Sequence, residues 1–240
     1  MITTLVALLS AHFVADFALQ SDGMAVAKRR PGVMAGHILI VVATTAVAIG
    51  WLDWPLLGLL AITHFAMDAI KIYWLKPTLG AFAIDQTAHF AVIAALVFAF
   101  PGAADRGIWT LLPATLQPLF YVAMLATGAT IAVTVTGGIV IGKALEQIAT
   151  QEIKDMKGLP DGGTYIGWLE RALTLLFVAI DQPAAVGLLL AAKSILRFGD
   201  IKDTTDRARA EYIMIGTFLS VGWALCIAVV ARKIALHILH

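Results

Sequence analysis

Residues 35–52, with the sequence AGHILIVVATTAVAIGWL, contain no Asp, Glu, Lys or Arg. A stretch of this length approaches the roughly 20 apolar residues that an α-helix needs to cross a bilayer. Inside hydrocarbon the backbone polar groups must be satisfied internally, which only helices and closed barrels achieve. Similar runs recur from the first residues to the last. The sequence therefore predicts an all-α fold, a polytopic bundle of transmembrane helices.

The composition supports this class and excludes others. Hydrophobic residues make up 60% of the chain and charged residues 14%, whereas a globular domain carries about 25% charged residues. The net charge is +1, and no basic run is interleaved with aromatic residues, so we expect no nucleic-acid partner. Cys226 is the only cysteine, which excludes an intrachain disulfide and a thiolate zinc site. Any metal must be bound by His, Asp or Glu.

About eight segments are candidate spans: 2–20, 35–52, 56–75, 83–100, 117–143, 166–180, 184–198 and 209–236. No Lys or Arg precedes the apolar run at 5–11, so the first segment is predicted to be a retained helix and not a signal peptide. The two arms within 166–198 are short and are separated by Asp181, Gln182 and Pro183. A re-entrant hairpin is the alternative there, which leaves seven or six spans.

Three parts follow from this pattern. Residues 1–100 form a four-helix half that carries the candidate metal site, 101–165 a long fifth helix with a cytoplasmic extension, and 166–240 the C-terminal helices. One side of the bundle collects most of the basic residues that lie between spans: Lys28, Arg29, Arg30, Lys76, Lys143, Lys154 and Lys157. The positive-inside rule places that side in the cytoplasm, here of a bacterial inner membrane. Arg232 and Lys233 lie on the opposite side of this arrangement.

Ionisable residues repeat within the first half. A shift of 52 residues superposes one set of three on another, namely His12, Asp16 and His37 on His64, Asp68 and His89. Each His-x-x-x-Asp pair lies on one helix face, because residues four apart are neighbours on a helix. The spacing predicts a tandem repeat of helical hairpins.

Ionisable groups are unfavourable within a membrane, since the free energy of inserting an acid at the centre of a span is roughly 2.5 to 3.5 kcal/mol. One or two divalent cations would compensate them, and imidazole with carboxylate suits zinc, manganese or iron. The predicted metal ligands are His12, Asp16, His37, His64, Asp68, Asp85 and His89. The alternatives are a proton or ion pathway and a structural hydrogen-bond network between helices.

Further polar residues could serve the same site. Asp85 is a metal ligand or a general base, whereas Gln20, Gln86 and Lys71 would orient the substrate. A second set lies within the apolar C-terminal helices: Glu170, Arg171, Lys193 and Arg197. These residues would either pair with one another, Glu170 with Lys193 or Arg197, or bind the anionic headgroup of a substrate.

Five motifs together resemble one family: His12-Phe-Val-Ala-Asp-Phe-Ala-Leu-Gln20, His64-x-x-x-Asp-x-x-Lys71, Asp85-Gln-x-x-His89, Tyr165-Ile-Gly-x-Leu-Glu-Arg171 and Ala192-Lys-Ser-Ile-Leu-Arg-Phe198. The chain resembles the bacterial membrane-protein family known as domain of unknown function 3307, over nearly its whole length. That resemblance implies the class of protein but no activity. More loosely, the His and Asp pattern is similar to that of membrane-bound metal-dependent hydrolases.

The functional hypothesis is a metal-dependent membrane hydrolase that acts on a lipid or amphiphilic substrate at a phosphoester or acyl bond. Two alternatives remain. A divalent-cation transporter would use the same His and Asp residues as a transient ion site, and a non-catalytic membrane scaffold would use them to hold its helices together.

Overall fold

The computed structural model describes residues 1–151, 159, 161–198 and 204–240, without the side chains of 196–198 and 204–206. Every regular element in this part of the chain is a helix. Lys154 and Lys157, which the orientation prediction uses, lie outside the described residues, and so does the side chain of Arg197. The predicted all-α class is confirmed.

The described residues contain ten α-helices: α1 (Ile2–Phe13), α2 (Asp22–Ala27), α3 (Pro31–Ile49), α4 (Trp54–Trp74), α5 (Leu79–Ala99), α6 (Gln117–Ile131), α7 (Gly137–Glu146), α8 (Gly162–Ala179), α9 (Ala184–Phe198) and α10 (Thr204–Leu239). Two π-helical turns, Val14–Ala18 and Ala132–Thr136, continue α1 and α6. Two short 3₁₀ turns, Ala104–Arg106 and Ile108–Leu111, lie between α5 and α6.

Five helical segments are long and apolar enough to cross a membrane: Pro31–Ile49, Trp54–Trp74, Leu79–Ala99, Gln117–Glu146 and Arg207–Leu239. Shorter apolar helices occur at Ile2–Ala18 and Ala184–Ile195. These lengths and compositions indicate a membrane protein. A helix lies at each of the eight predicted positions, but the number of spans stays a prediction.

Local signals in the sequence explain where these helices begin and end. Asp53 precedes α4 and accepts the backbone N–H of Leu56 at 3.3 Å, and Thr78 caps α5 in the same way. Such side chains satisfy N–H groups that have no partner within the helix. Pro31 occupies the first position of α3, where its missing N–H costs nothing. Gly50 ends α3 with φ of 78°, a left-handed conformation that favours glycine.

The chain forms two compact units. The first comprises Met1–Ile131 and Ile234–His240. Within it α1 packs against α3, α5 and α6, α3 packs against α4, and α4 packs against α5. Helices α1, α3, α4 and α5 therefore close into a ring whose inner faces are buried. Their apolar core includes Ala7, Leu8, Val41, Leu57, Leu60, Ile93 and Leu96.

The second unit comprises Ala132–Lys233. Its polar centre is Arg171, which donates to the Ser220 hydroxyl at 3.0 Å and to the carbonyl oxygen of Thr134 at 2.9 Å. Glu170 pairs with Lys193 at 2.6 Å, one of its two predicted partners. The three-part division drawn from the sequence stays a prediction.

A close approach between α1 and α6 supports the helix that carries His12. Gly128 of α6 is buried, and a Cβ atom on it would lie 2.9 Å from the Oγ of Ser10. Gly58 of α4 is exposed, and a Cβ atom there would meet nothing within 4 Å.

We expect Gly128→Leu to destabilise the protein by about 1 to 3 kcal/mol, because overpacking a close helix contact forces the backbones apart. Thermal unfolding in detergent measures this as a lower midpoint. Gly58→Leu is the matched control and should leave the midpoint unchanged. Equal midpoints for the two variants would contradict the α1–α6 contact.

Candidate metal centre

The seven predicted ligands converge inside the ring of four helices. Three groups of three residues each have ligand atoms within 4.8 Å of one another: His12, Asp16 and His64; His37, His64 and Asp68; and Asp68, Asp85 and His89. His64 belongs to two of these groups, and so does Asp68. The seven side chains therefore form one continuous set, which we call the His/Asp cluster.

The cluster is buried. Asp16 keeps 9% of its side chain exposed, and each of the other six keeps 5% or less. Because the burial of a charge is costly unless it is paired, these acids need partners within the protein.

His37 and His64 lie at the middle of the cluster. Their Nε2 atoms are 3.1 Å apart. Oδ1 of Asp16 lies 3.6 Å from the first nitrogen and 3.4 Å from the second. Ligand atoms on a tetrahedral zinc ion with bonds near 2.0 to 2.1 Å are separated by about 3.3 Å. These three donors therefore stand at the separation of metal ligands.

Asp68 approaches the same two imidazoles. Its Oδ2 lies 3.4 Å from Nε2 of His37 and 3.8 Å from Nε2 of His64. The two Nε2 atoms therefore form one triangle of donors with Asp16 and a second triangle with Asp68. The line between the two Nε2 atoms is the edge that the triangles share. A cation at this edge would be within reach of two imidazoles and of carboxylates from two helices.

Hydrogen bonds at the rim determine which nitrogen of His89 carries a proton. Its Nδ1 lies 2.8 Å from the backbone carbonyl oxygen of Asp85, and a carbonyl can only accept, so Nδ1 is the donor. Nε2 then presents a lone pair, and it is buried without a hydrogen-bond partner among the described residues. A backbone carbonyl on one ring nitrogen and a metal on the other is the usual arrangement of a ligating histidine.

His12 is oriented in a similar way. The amide nitrogen of Gln86 donates to Oδ2 of Asp85 at 3.0 Å, which leaves the amide oxygen to accept from Nε2 of His12 at 3.2 Å. Nδ1 of His12 therefore carries the lone pair, yet it faces Oδ2 of Asp16 at 3.6 Å. Two acceptors in contact require a cation or a proton between them.

Acceptors exceed donors in the cluster. Oδ1 of Asp16 and Oδ1 of Asp85 are buried and accept no hydrogen bond from the described part of the chain, as is also true of Nε2 of His89. Buried polar atoms in native proteins are almost always satisfied. A bound cation would satisfy such acceptors; Asp16 belongs to one group of ligand atoms, and Asp85 and His89 belong to another.

Two lysines compensate part of the charge. Lys28 Nζ lies 2.7 Å from Oδ2 of Asp68, and Lys71 Nζ lies 2.6 Å from Oδ2 of Asp85. Among the described residues no Lys or Arg pairs with Asp16. With neutral imidazoles, three carboxylates and two ammonium groups leave one net negative charge. One divalent ion is therefore better balanced than two while both lysines keep their partners.

Lys28 is a site residue that the sequence analysis used only as a charge near the membrane surface. Its side chain is 7% exposed, so it belongs to the interior of the cluster. The sequence contains one signal for this role, since Lys28 is a cation within 20 residues of Asp16 and of two histidines, His12 and His37. Spacing alone, however, does not bring residue 28 to residue 68.

The two His-x-x-x-Asp pairs differ in local geometry. Asp16 lies in the π-helical turn Val14–Ala18, whereas Asp68 lies in the regular helix α4. Asp16 faces Nδ1 of His12, and Asp68 faces Nε2 of His64. Single π turns within α-helices are frequent at functional sites. The tandem repeat of hairpins stays a prediction.

The other predicted site residues fall into two places. Gln20 follows the π turn, and its Oε1 is buried without a partner in the described chain, while Gln86 and Lys71 contact Asp85 as given above. Glu170, Arg171 and Lys193 belong to the second unit, and none of the three is part of the donor groups of the cluster. Their role in substrate binding stays a prediction.

A small cavity borders the cluster. It has a volume of about 10 Å³ and is lined by His12, His64 and His89 together with apolar residues such as Leu8 and Leu60. This volume is near the lower limit for one water molecule. The cavity offers room for a metal-bound water, not for a substrate.

Comparison with known protein families gives one match. Residues 4–109 match the family described as "Protein of unknown function (DUF3307)". The matched region contains all seven residues of the His/Asp cluster, and it does not contain the two motifs at 165–171 and 192–198. No curated protein and no solved structure matches the chain, so the looser similarity to metal-dependent hydrolases is not supported.

The pair of Lys28 and Asp68 can be tested without metal. We expect Lys28→Met to destabilise the chelator-treated protein by about 3 kcal/mol, because one partner of a buried ion pair is left without its counter-charge. Adding Asp68→Asn should recover most of that loss, since the amide carries no charge. Lys76→Met, at an exposed lysine, is the control. A double variant no more stable than Lys28→Met would show that the two side chains are not coupled.

Proposed function

We propose that this chain, whose residues 4–109 match the DUF3307 family, is a bacterial inner-membrane protein that binds a divalent metal ion and hydrolyses a lipid or amphiphilic substrate with it. The observation that carries this proposal is the buried surplus of acceptors in the His/Asp cluster. His89 and His12 direct lone pairs inward while their other nitrogens donate to the protein, and Asp16 faces two further imidazoles.

The donor set supports zinc, manganese or iron. Imidazole and carboxylate suit these three ions, whereas calcium and magnesium prefer oxygen ligands alone. One ion would be held by His37, His64, Asp16 and Asp68 as inner ligands, and His12, Asp85 and His89 would lie around this inner set. The charge balance of the cluster favours one ion.

Hydrolysis would use a water on this ion. A divalent metal lowers the pKa of bound water to about 7 and so produces hydroxide at neutral pH. Addition of water at the phosphorus or carbonyl carbon of the substrate would break the bond to the leaving oxygen. Asp85 has one unpartnered carboxylate oxygen, so it is the candidate that takes the proton of the water and returns it to the leaving group. Lys71, 40% exposed, would stabilise the developing negative charge.

Metal analysis of the purified protein is the first test. Asp16→Asn keeps the size of the side chain but removes its charge, so we expect the metal content to fall well below that of the wild type. Asp53→Asn is a matched control, because Asp53 is equally buried but caps α4 away from the cluster. Both variants should keep their helical circular dichroism. Wild-type metal content in Asp16→Asn, or a low content in both variants, would contradict the metal site.

Reconstituted vesicles separate the hydrolase from the transporter. We expect metal-loaded protein to release product from lipid or amphiphilic esters, and Asp85→Asn to abolish that release while part of the metal stays bound. Movement of zinc, manganese or iron across the vesicle membrane without any lipid turnover would favour the cation transporter. If the protein binds no metal and shows neither turnover nor transport, the structural polar network is the remaining explanation of the cluster.

The inner-membrane orientation is also a proposal. With eight spans, and with residues 1–100 as two tandem hairpins, the residues around 21–34 face the cytoplasm. In a Cys226→Ser background, we expect Arg30→Cys to react with an impermeant thiol reagent only after cells are opened. Asp105→Cys, half-exposed on the loop before α6, should react in intact cells. The reverse pattern would overturn the orientation.

A further inference from the structure

A groove of about 520 Å³ runs between α3 and α4 on the surface of the first unit. Its walls are apolar for most of their length, with Met34, Ile38, Ile62 and Phe65 beside the small residues Ala35 and Ala61. Ile62 is 68% and Phe65 51% exposed. In a helix that crosses a bilayer, such exposed apolar side chains face the acyl chains of lipid.

The length of the groove suits an acyl chain. It extends along α4 from Ala61 to Tyr73, which at 1.5 Å per residue is about 18 Å. This is more than half of the roughly 30 Å thickness of the hydrocarbon core. Alanines at 35, 61 and 69 provide the space that larger side chains would fill.

One end of the groove is cationic. Lys28, Arg29 and Tyr73 line it there. Arg29 donates to the carbonyl oxygen of Ile72 at 3.4 Å and forms no ion pair with a carboxylate of the described residues. A guanidinium has five N–H donors in a planar fork that fits phosphate. An apolar groove with such a group at one end complements an anionic amphiphile.

The same end adjoins the His/Asp cluster. Lys28 lines the groove, and its ammonium group also contacts Asp68 at 2.7 Å. Lys28 is thus shared between the groove and the cluster. A phosphate at the cationic end would be separated from the proposed metal site by the side chain of Lys28.

We propose that this groove binds an anionic phospholipid of the surrounding bilayer, with its phosphate at Arg29 and Lys28 and an acyl chain between α3 and α4. Basic pockets between transmembrane helices bind anionic headgroups by the same chemistry. As a lipid-binding site the groove does not depend on the proposed hydrolase activity. As the site of the substrate it rests on the proposed hydrolase, and it then names an anionic phospholipid as the substrate class.

Lipid retention tests the groove independently of metal and turnover. The full chain is reconstituted in nanodiscs with equal amounts of phosphatidylglycerol and phosphatidylcholine and extracted into mild detergent. The bound lipids are then counted by native mass spectrometry. We expect the wild type to retain phosphatidylglycerol in preference, and Arg29→Gln to reduce that retention about fivefold, because one guanidinium–phosphate contact is lost. Ala61→Phe fills the groove and should reduce the retention of both lipids.

Arg30→Gln is the matched control, because Arg30 is the exposed neighbour of Arg29 and does not line the groove. It removes the same charge and should leave retention at the wild-type level. Unfolding midpoints of all variants show that they are folded. An equal loss in Arg30→Gln and Arg29→Gln would mean diffuse surface charge, and unchanged retention in folded Ala61→Phe would mean that no chain lies in the groove; either result overturns the proposal.

The fate of the retained lipid distinguishes this inference from the proposed function. Selective retention through Arg29 without release of product supports the groove and contradicts phospholipid hydrolysis. Displacement of the lipid by millimolar inorganic phosphate would show that the cationic end binds free phosphate, and that result overturns the phospholipid as its occupant.

Discussion

Three carboxylates and four imidazoles lie together in a buried space inside four helices. The carboxylates require positively charged partners, and this requirement is the main constraint on the first unit. A buried charge is tolerated only when it is paired. Asp68 pairs with Lys28 and Asp85 pairs with Lys71, whereas the ion-pair partners of Asp16 among the described residues are three imidazoles. The remaining negative charge lies at the edge between His37 and His64, which is where the donor distances suit a metal ion.

The surrounding structure holds these groups in place through contacts outside the donor set. Gln86 connects His12 to Asp85, and the carbonyl of Asp85 orients His89. Partners of this kind determine the tautomer of a ligating histidine and its direction. The π turn at Val14–Ala18 carries Asp16, so the backbone of the first helix itself departs from regular geometry at the cluster. This arrangement supports the proposed metal site, because a purely structural network would satisfy its own acceptors.

Lys28 connects the interior of the bundle to its lipid-facing surface. It lines the groove between α3 and α4, and its ammonium group contacts the carboxylate of Asp68. An anion in the groove would compete with Asp68 for this ammonium group and free a carboxylate oxygen for the metal. The two binding events would then be coupled, and such coupling is reciprocal. The cavity beside the histidines is too small to enclose a substrate, so the proposed hydrolase would need its substrate to arrive from the membrane side.

The sequence by itself determined the helical class, the positions of the eight helices and the seven residues of the cluster, because apolar runs and the spacing of His and Asp on one helix face are local properties. It also named Lys193 as one of two possible partners of Glu170, and the structure shows that pair. Only the tertiary structure decided that Lys28 neutralises Asp68, that Gln86 orients His12 and that α3 and α4 leave a groove. Those features join residues 40 and 74 positions apart, and their distances depend on how helices pack, which no local pattern encodes. The π turn was not predicted, for a related reason. One extra residue in a helical turn is stabilised by its surroundings and does not change the hydrophobic periodicity of the sequence.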